Sequence, residues 1–332
     1  MRYAAITGWG MAVPDRVLTN ADLAAMVDTS DEWIVSRTGI RERRVVGPSD
    51  STTSLGAAAA RAALAKAGIT ADDIDLIVVA TCTPDQFLVS EACLIQAELG
   101  GNAGALDVGA ACSGFVYALS VGTTHIRAGE ARRVLVIGVD TLTRFVDYTD
   151  RGTCILFGDG AGAVVIEATD EPRGMLSHVL GADGAGARHL YIPGWGALVP
   201  ESAEIFADSR PYLQMNGREV FKFAVRVMGE SAAEAVDKAG LTFADIDMLI
   251  PHQANLRIID AAAERLSLPR EKVIVNLDRY GNTSAASIPI ALVEAEASGA
   301  LHDGSNIVFV AFGGGLAWGA GVIRWGTAGV ER

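Results

Sequence analysis

Cysteine is scarce in this chain: four residues in 332, Cys82, Cys93, Cys112 and Cys154, with no Cys-x-x-Cys pair among them. Such a set builds neither a disulfide framework nor a zinc site, and it fits a reducing, cytoplasmic location. The five histidines are scattered without ligand spacing, so no metal is expected. Basic residues are outnumbered, 27 Lys and Arg against 40 Asp and Glu for a net charge of −13, which excludes the broad basic face that nucleic acid demands. Met1-Arg2-Tyr3 runs directly into apolar Ala4 to Gly8, without the charged leader and long apolar core of a secretory signal. Asn306 to Ile323 is eighteen residues without a charge, yet five are glycine, three of them consecutive. It reads as two buried strands joined by a glycine turn, so no membrane span is expected.

Half of the residues are hydrophobic and 37 are glycine, a composition for tight globular packing, and the length exceeds one comfortable core. The chain also contains a faint copy of itself. Lys66-Ala67-Gly68-Ile69-Thr70-Ala71-Asp72-Asp73-Ile74-Asp75-Leu76-Ile77 matches Lys238-Ala239-Gly240-Leu241-Thr242-Phe243-Ala244-Asp245-Ile246-Asp247-Met248-Leu249 at seven of twelve positions. An Ala-rich helix precedes each copy (Ser54 to Ala67, Met228 to Ala239) and a strand follows. The same offset, within a residue, lays Val134 to Val139 on Ile307 to Phe312, and the helix after Cys112 on Ser284 to Leu292. We therefore expect an α/β fold of two pseudo-duplicated halves, residues 1–170 and 171–332, with helices covering buried sheets in a five-layer αβαβα body. Gly181 to Gln214 breaks the pattern with Pro193, Gly194, Trp195, Gly196, Pro200 and Pro211, and reads as a long connection, either a lid or a subunit contact.

Cys112 stands in Asp107-Val108-Gly109-Ala110-Ala111-Cys112-Ser113-Gly114-Phe115, where small residues on both sides allow close approach to the sulfur. Gly104 to Val108 reads as a strand end, and Phe115 to Arg127 carries apolar residues at helical spacing. Cys112 would then sit at a helix N-terminus, where the dipole favours thiolate over thiol. A lone cysteine also fits an inert buried position. Two further polar residues stand at similar junctions: His252, after the apolar strand Ile246 to Ile250, and Asn282, in Tyr280-Gly281-Asn282-Thr283-Ser284. Singly they fit a hydrogen-bonded strand-end histidine and a plain turn. Together the three form a Cys, His, Asn set suited to nucleophilic catalysis.

Gly109-Ala110-Ala111-Cys112-Ser113-Gly114, His252-Gln253-Ala254-Asn255, Gly281-Asn282-Thr283-Ser284-Ala285-Ala286 and Phe312-Gly313-Gly314-Gly315 carry a wider likeness, as does Asp31-Glu32-Trp33-Ile34 with Arg37-Thr38-Gly39-Ile40. In their order and spacing the chain resembles, over essentially its full length, the ketoacyl-acyl-carrier-protein synthase III family of the thiolase superfamily. The resemblance implies a thiolase-like fold, a homodimer, and no cofactor beyond a coenzyme A thioester as substrate. It implies the initiating condensation of type II fatty acid synthesis: an acyl-CoA primer acylates Cys112, CoA leaves, and malonyl-acyl-carrier-protein loses CO2 and condenses with the thioester. A related ketosynthase or acyltransferase that primes polyketide or other specialised metabolism is the alternative.

The same resemblance carries residue roles. Cys112 is the nucleophile, and its amide with that of Gly314 forms the oxyanion hole. His252 and Asn282 donate hydrogen bonds to the developing enolate, with His252 kept neutral by burial. Coenzyme A is bound by Trp33, Arg37, Thr38, Arg151, Gly217, Phe221, Ala254 and Asn255, its adenine lying between Trp33 and Arg151. Leu142, Leu156 and Phe157 wall the acyl pocket, which Phe87 closes from the partner subunit; a ring there suits a short primer such as acetyl. Lys222, Arg257 and Arg265 meet the acidic carrier protein, while Glu264 occupies a position that is basic in some relatives.

Overall fold

Residues 2–193 and 212–327 are described by the computed structural model. Thirteen strands form among them: β1 (Tyr3–Ala12), β2 (Val17–Thr19), β3 (Glu42–Arg44), β4 (Leu76–Ala80), β5 (Gly104–Val108), β6 (Arg133–Thr141), β7 (Asp159–Thr169), β8 (Gly174–Ala182), β9 (Leu190–Tyr191), β10 (Gln214–Met215), β11 (Met248–Pro251), β12 (Asn306–Gly313) and β13 (Ala317–Arg324). The helices are α1 (Asn20–Ala24), α2 (Asp31–Thr38), α3 (Thr52–Ala67), α4 (Glu91–Leu99), α5 (Gly114–Ala128), α6 (Gly217–Lys238), α7 (Leu256–Arg265), α8 (Leu277–Tyr280) and α9 (Ser287–Ala297).

Two runs of strands dominate, β1-β7-β6-β4-β5 and β8-β13-β12-β11, joined edge to edge through a single registered pair, Ala4 with Gly174. Their strand orders repeat, as the internal sequence copy requires. Successive side chains of a strand leave on opposite faces, so a strand apolar at every position needs cover on both. Val134 and Val136 of β6 enter a central cluster with α5 and α9, while Leu135, Ile137 and Val139 pack outward against α3. In β12, Ile307, Phe309 and Ala311 join the same central cluster, and Val308, Val310 and Phe312 face α6 and α7. The layers therefore run α3 and α4, sheet, α5 and α9, sheet, α6 and α7, the thiolase arrangement.

Several boundaries differ from the sequence reading. The second Ala-rich helix begins at Gly217, capped by Asn216, rather than at Met228, because Val220, Phe223 and Val227 extend its buried stripe. Ile246 precedes β11 instead of opening it. In the long connection, Gly181 and Ala182 finish β8, and β9 pairs antiparallel with β10. Gly194, Trp195, Gly196, Pro200 and Pro211 lie outside the described residues. Asn306 to Ile323 is the β12–β13 hairpin, and no helix among the described residues is long and apolar enough to cross a membrane.

Candidate active site

Two matching turns deliver the central residues. The first runs from β5 through a 3-10 turn, Ala111–Ser113, into α5; the second is the 3-10 turn Ser284–Ala286 that leads into α9. Each opens on a residue in the left-handed region, Ala111 at φ 44° and Ser284 at φ 52°. That conformation strains any residue with a Cβ and recurs where a site needs it. The buried middle layer brings the turns face to face, so that Ser284 Oγ donates to Cys112 Sγ at 3.3 Å.

His252 follows β11, with its amide bonded to Val310 O at 2.8 Å, and its ring meets Phe312 edge-on at 5.6 Å. Burial holds its imidazole down at about 3, so the ring is neutral at physiological pH, as expected. Asn282 pairs its backbone with Leu156 O and Gly158 N, and its Oδ1 accepts from Ser284 N at 2.9 Å. That bond leaves Nδ2 as the face of the amide that can donate to a ligand.

Cys112 is where two cavities meet. One, of about 90 Å³, is lined by Cys112, His252 and Asn282 and continues past Gly217, Phe221, Ala254 and Asn255. The other, of about 200 Å³, is bounded by Cys112, Cys82, Leu142, Phe157, Leu213 and Gly314. Phe157 and Leu190 are shared walls, and Leu156 belongs to the first. Gly313 is required beside the nucleophile, since a Cβ there would stand 2.6 Å from Cys112 N.

One expectation reverses. The helix N-terminus favours thiolate, but burial pushes the Cys112 thiol up to about 12, against the opposing pull of the Ser284 hydroxyl. Desolvation of a charge outweighs the nearby dipole in so enclosed a site. Asp140, whose carboxylate takes hydrogen bonds from Thr81, Cys82, Thr83 and Ala285, adds to the upward push.

The outer residues divide. Arg151 lies 5.0 Å above the Trp33 ring and Arg37 5.7 Å from it, so the two intended adenine partners touch each other here. Asn255 Nδ2 donates to Arg37 O at 3.0 Å, tying that helix to the cavity mouth. Thr38 lines neither cavity: it is buried, and its hydroxyl is used by Ile34 O and Ile40 N. Phe87 also lines neither and is 61% exposed beside Leu88 and Val89. Lys222, Arg257 and Arg265 are exposed on the packed pair α6 and α7. Lys222 pairs with Glu219, Arg257 stacks 5.1 Å from Phe221, and Glu264 is exposed on α7. No cluster among the described residues could hold a metal.

Sequence reading missed Ser284, Ser287, Asp140, Cys82 and Leu190. Ser284 belongs to the Gly281-Asn282-Thr283-Ser284 turn, but its partner lies across the middle layer, 172 positions away.

Known proteins resemble this chain over nearly its whole length. The model of 3-oxoacyl-(acyl-carrier-protein) synthase III matches residues 106–184, and that of its C-terminal region matches 236–325. The beta-ketoacyl-(acyl-carrier-protein) synthase III of Roseiflexus castenholzii is 56% identical, over 97% of this chain and 98% of its own. That of Symbiobacterium thermophilum is 55% identical, over 98% and 99%. The solved synthase III of Thermus thermophilus is 49% identical and superposes with a TM-score of 0.92 over 98% of this chain and all of its own. With a cysteine, a histidine and an asparagine around one cavity inside the thiolase fold, the chain belongs to the 3-oxoacyl-acyl-carrier-protein synthase III family of condensing acyltransferases.

Proposed function

We propose that this enzyme starts fatty acid synthesis by condensing a short acyl-CoA primer, acetyl-CoA foremost, with malonyl-acyl-carrier-protein at Cys112. The observation that carries the reading is that Cys112, His252 and Asn282 line one cavity while Cys112 also borders a second, apolar one. The first suits the thioester arm and the second the acyl chain.

In the first stage Cys112 sulfur attacks the primer carbonyl, the oxyanion is held by the Cys112 and Gly314 amides, and the C–S bond to CoA breaks. CoA departs as the thiol, so the Cys112 proton ends on the CoA sulfur. This suits a cysteine whose free thiol resists ionisation. In the second stage malonyl thioester loses CO2, and its carbonyl oxygen gains charge as the enolate forms. His252 and Asn282 donate to that oxygen as neutral groups, and the carbanion carbon attacks the acyl-Cys112 thioester, releasing the sulfur as a thiolate that takes a proton from water to restore the thiol.

The exposed basic residues Lys222, Arg257 and Arg265 on α6 and α7 suit an acidic carrier protein. The exposed Phe87, Leu88 and Val89 suit burial in a homodimer, with Phe87 closing the partner's acyl pocket.

Intact-protein mass after incubation with acetyl-, propionyl- and isobutyryl-CoA, with Cys112→Ser as control, tests the reading. A rapid acyl mass gain that Cys112→Ser lacks is expected, greatest with acetyl-CoA. No gain from any primer sinks the assignment, and preference for isobutyryl-CoA sinks the choice of acetyl.

A further inference from the structure

Ser284 is fully buried, and its hydroxyl has sulfur neighbours only: Cys112 Sγ at 3.3 Å and Cys82 Sγ at 3.9 Å. No oxygen takes its proton among the described residues. The bond to Cys112 is therefore the one that satisfies a buried donor, and it strengthens when the sulfur carries charge. Its backbone holds φ at 52°, an uncommon conformation for serine, and two bonds keep it there: Ser284 N donates to Asn282 Oδ1 at 2.9 Å, and Ala285 N donates to Asp140 Oδ2 at 3.1 Å. One strained residue thus touches the reacting sulfur with its side chain and orients the Asn282 amide with its main chain.

We propose that Ser284 is a further catalytic residue, whose hydroxyl supports the Cys112 thiolate by a hydrogen bond while its amide holds Asn282 in its donating orientation. This rests on Cys112 being the acylated nucleophile. The opposite turn supplies Ala111 at the matching first position, so only the second turn carries a hydroxyl there.

The test is the pH dependence of Cys112 alkylation by iodoacetamide, followed by peptide mass, in the full chain and in Ser284→Ala and Ser284→Gly. Cys82 after β4 and His252 after β11 line the cavities at the sulfur, and Asp140 from β6 accepts from Cys82 Sγ at 3.2 Å; neither substitution changes any of these three groups. Losing a hydrogen bond to a charged sulfur should slow alkylation at a given pH about 10- to 100-fold, with the profile displaced upward by roughly one to two pH units. Glycine is at ease at positive φ, so Ser284→Gly should keep the melting temperature of the parent. It decides the matter if the alanine variant folds poorly. An unchanged alkylation profile in Ser284→Gly overturns the proposal. Iodoacetamide needs neither CoA nor carrier, so failure of the parent to accept acyl-CoA would leave this readout standing and indict the proposed reaction instead.

Discussion

His252 Nδ1 lies 2.7 Å from Ser287 Oγ, the two residues meeting in the buried layer beneath the cavity. Ser287 Oγ has no other partner among the described residues, so its proton goes to Nδ1 and the ring proton sits on Nε2. That is the tautomer a neutral donor requires. Ser287→Ala frees the ring to exchange tautomers and should lower malonyl decarboxylation about tenfold while leaving acyl transfer to Cys112 little changed. Nitrogen-15 shifts of His252 together with CO2 release check this; protonation at Nδ1 in the parent enzyme contradicts it.

Alkylation of Cys112 in the free enzyme should rise about tenfold per pH unit from roughly pH 7 to 10, because burial holds the thiol near 12. A plateau near neutral pH would mean that the helix N-terminus outweighs burial after all.

His252 carries a stability signature of its own. Its value is depressed in the folded state, to about 3, so the stability of the neutral ring is complete above its ordinary value and is lost as pH falls toward 3. Urea unfolding at pH 6.5 and 5.0 should show His252→Gln losing less stability on acidification than the parent. Equal losses would mean that the ring is already charged in the fold.

Gly313→Ala places a methyl 2.6 Å from Cys112 N and 3.2 Å from Cys112 Cα. Displacing an oxyanion donor costs about 100-fold or more in rate, whereas overpacking costs about 1–3 kcal/mol of stability. Acylation followed by mass should collapse while the protein still melts cooperatively. Near-normal acylation would show that the Cys112 amide is not a donor.

Trp33 and Arg151 stand too close to admit an adenine without parting, so an adenine held between them would have to open the pair. Trp33→Ala should weaken CoA binding about tenfold by calorimetry, with alkylation of Cys112 unchanged. Unaltered affinity would remove Trp33 from the site.

Much of this was written locally. The Gly109 to Gly114 run, the junction at His252 and the Gly281-Asn282 turn are legible because small residues, apolar periodicity and turn chemistry act between near neighbours. The place of Thr38 was not legible in this way: its tunnel role is implied by resemblance alone, and only the fold shows its hydroxyl bonded to Ile34 O. The alternation of apolar strands and helices and the internal copy likewise specified the duplicated layers. Tertiary structure alone decided that two cavities meet at Cys112, that burial reverses the expected ionisation of its thiol, and that Ser284, 172 positions away, reaches its sulfur. Burial and long-range contact are properties of the packed whole: desolvation depends on every layer that excludes water, and no window of sequence contains them all.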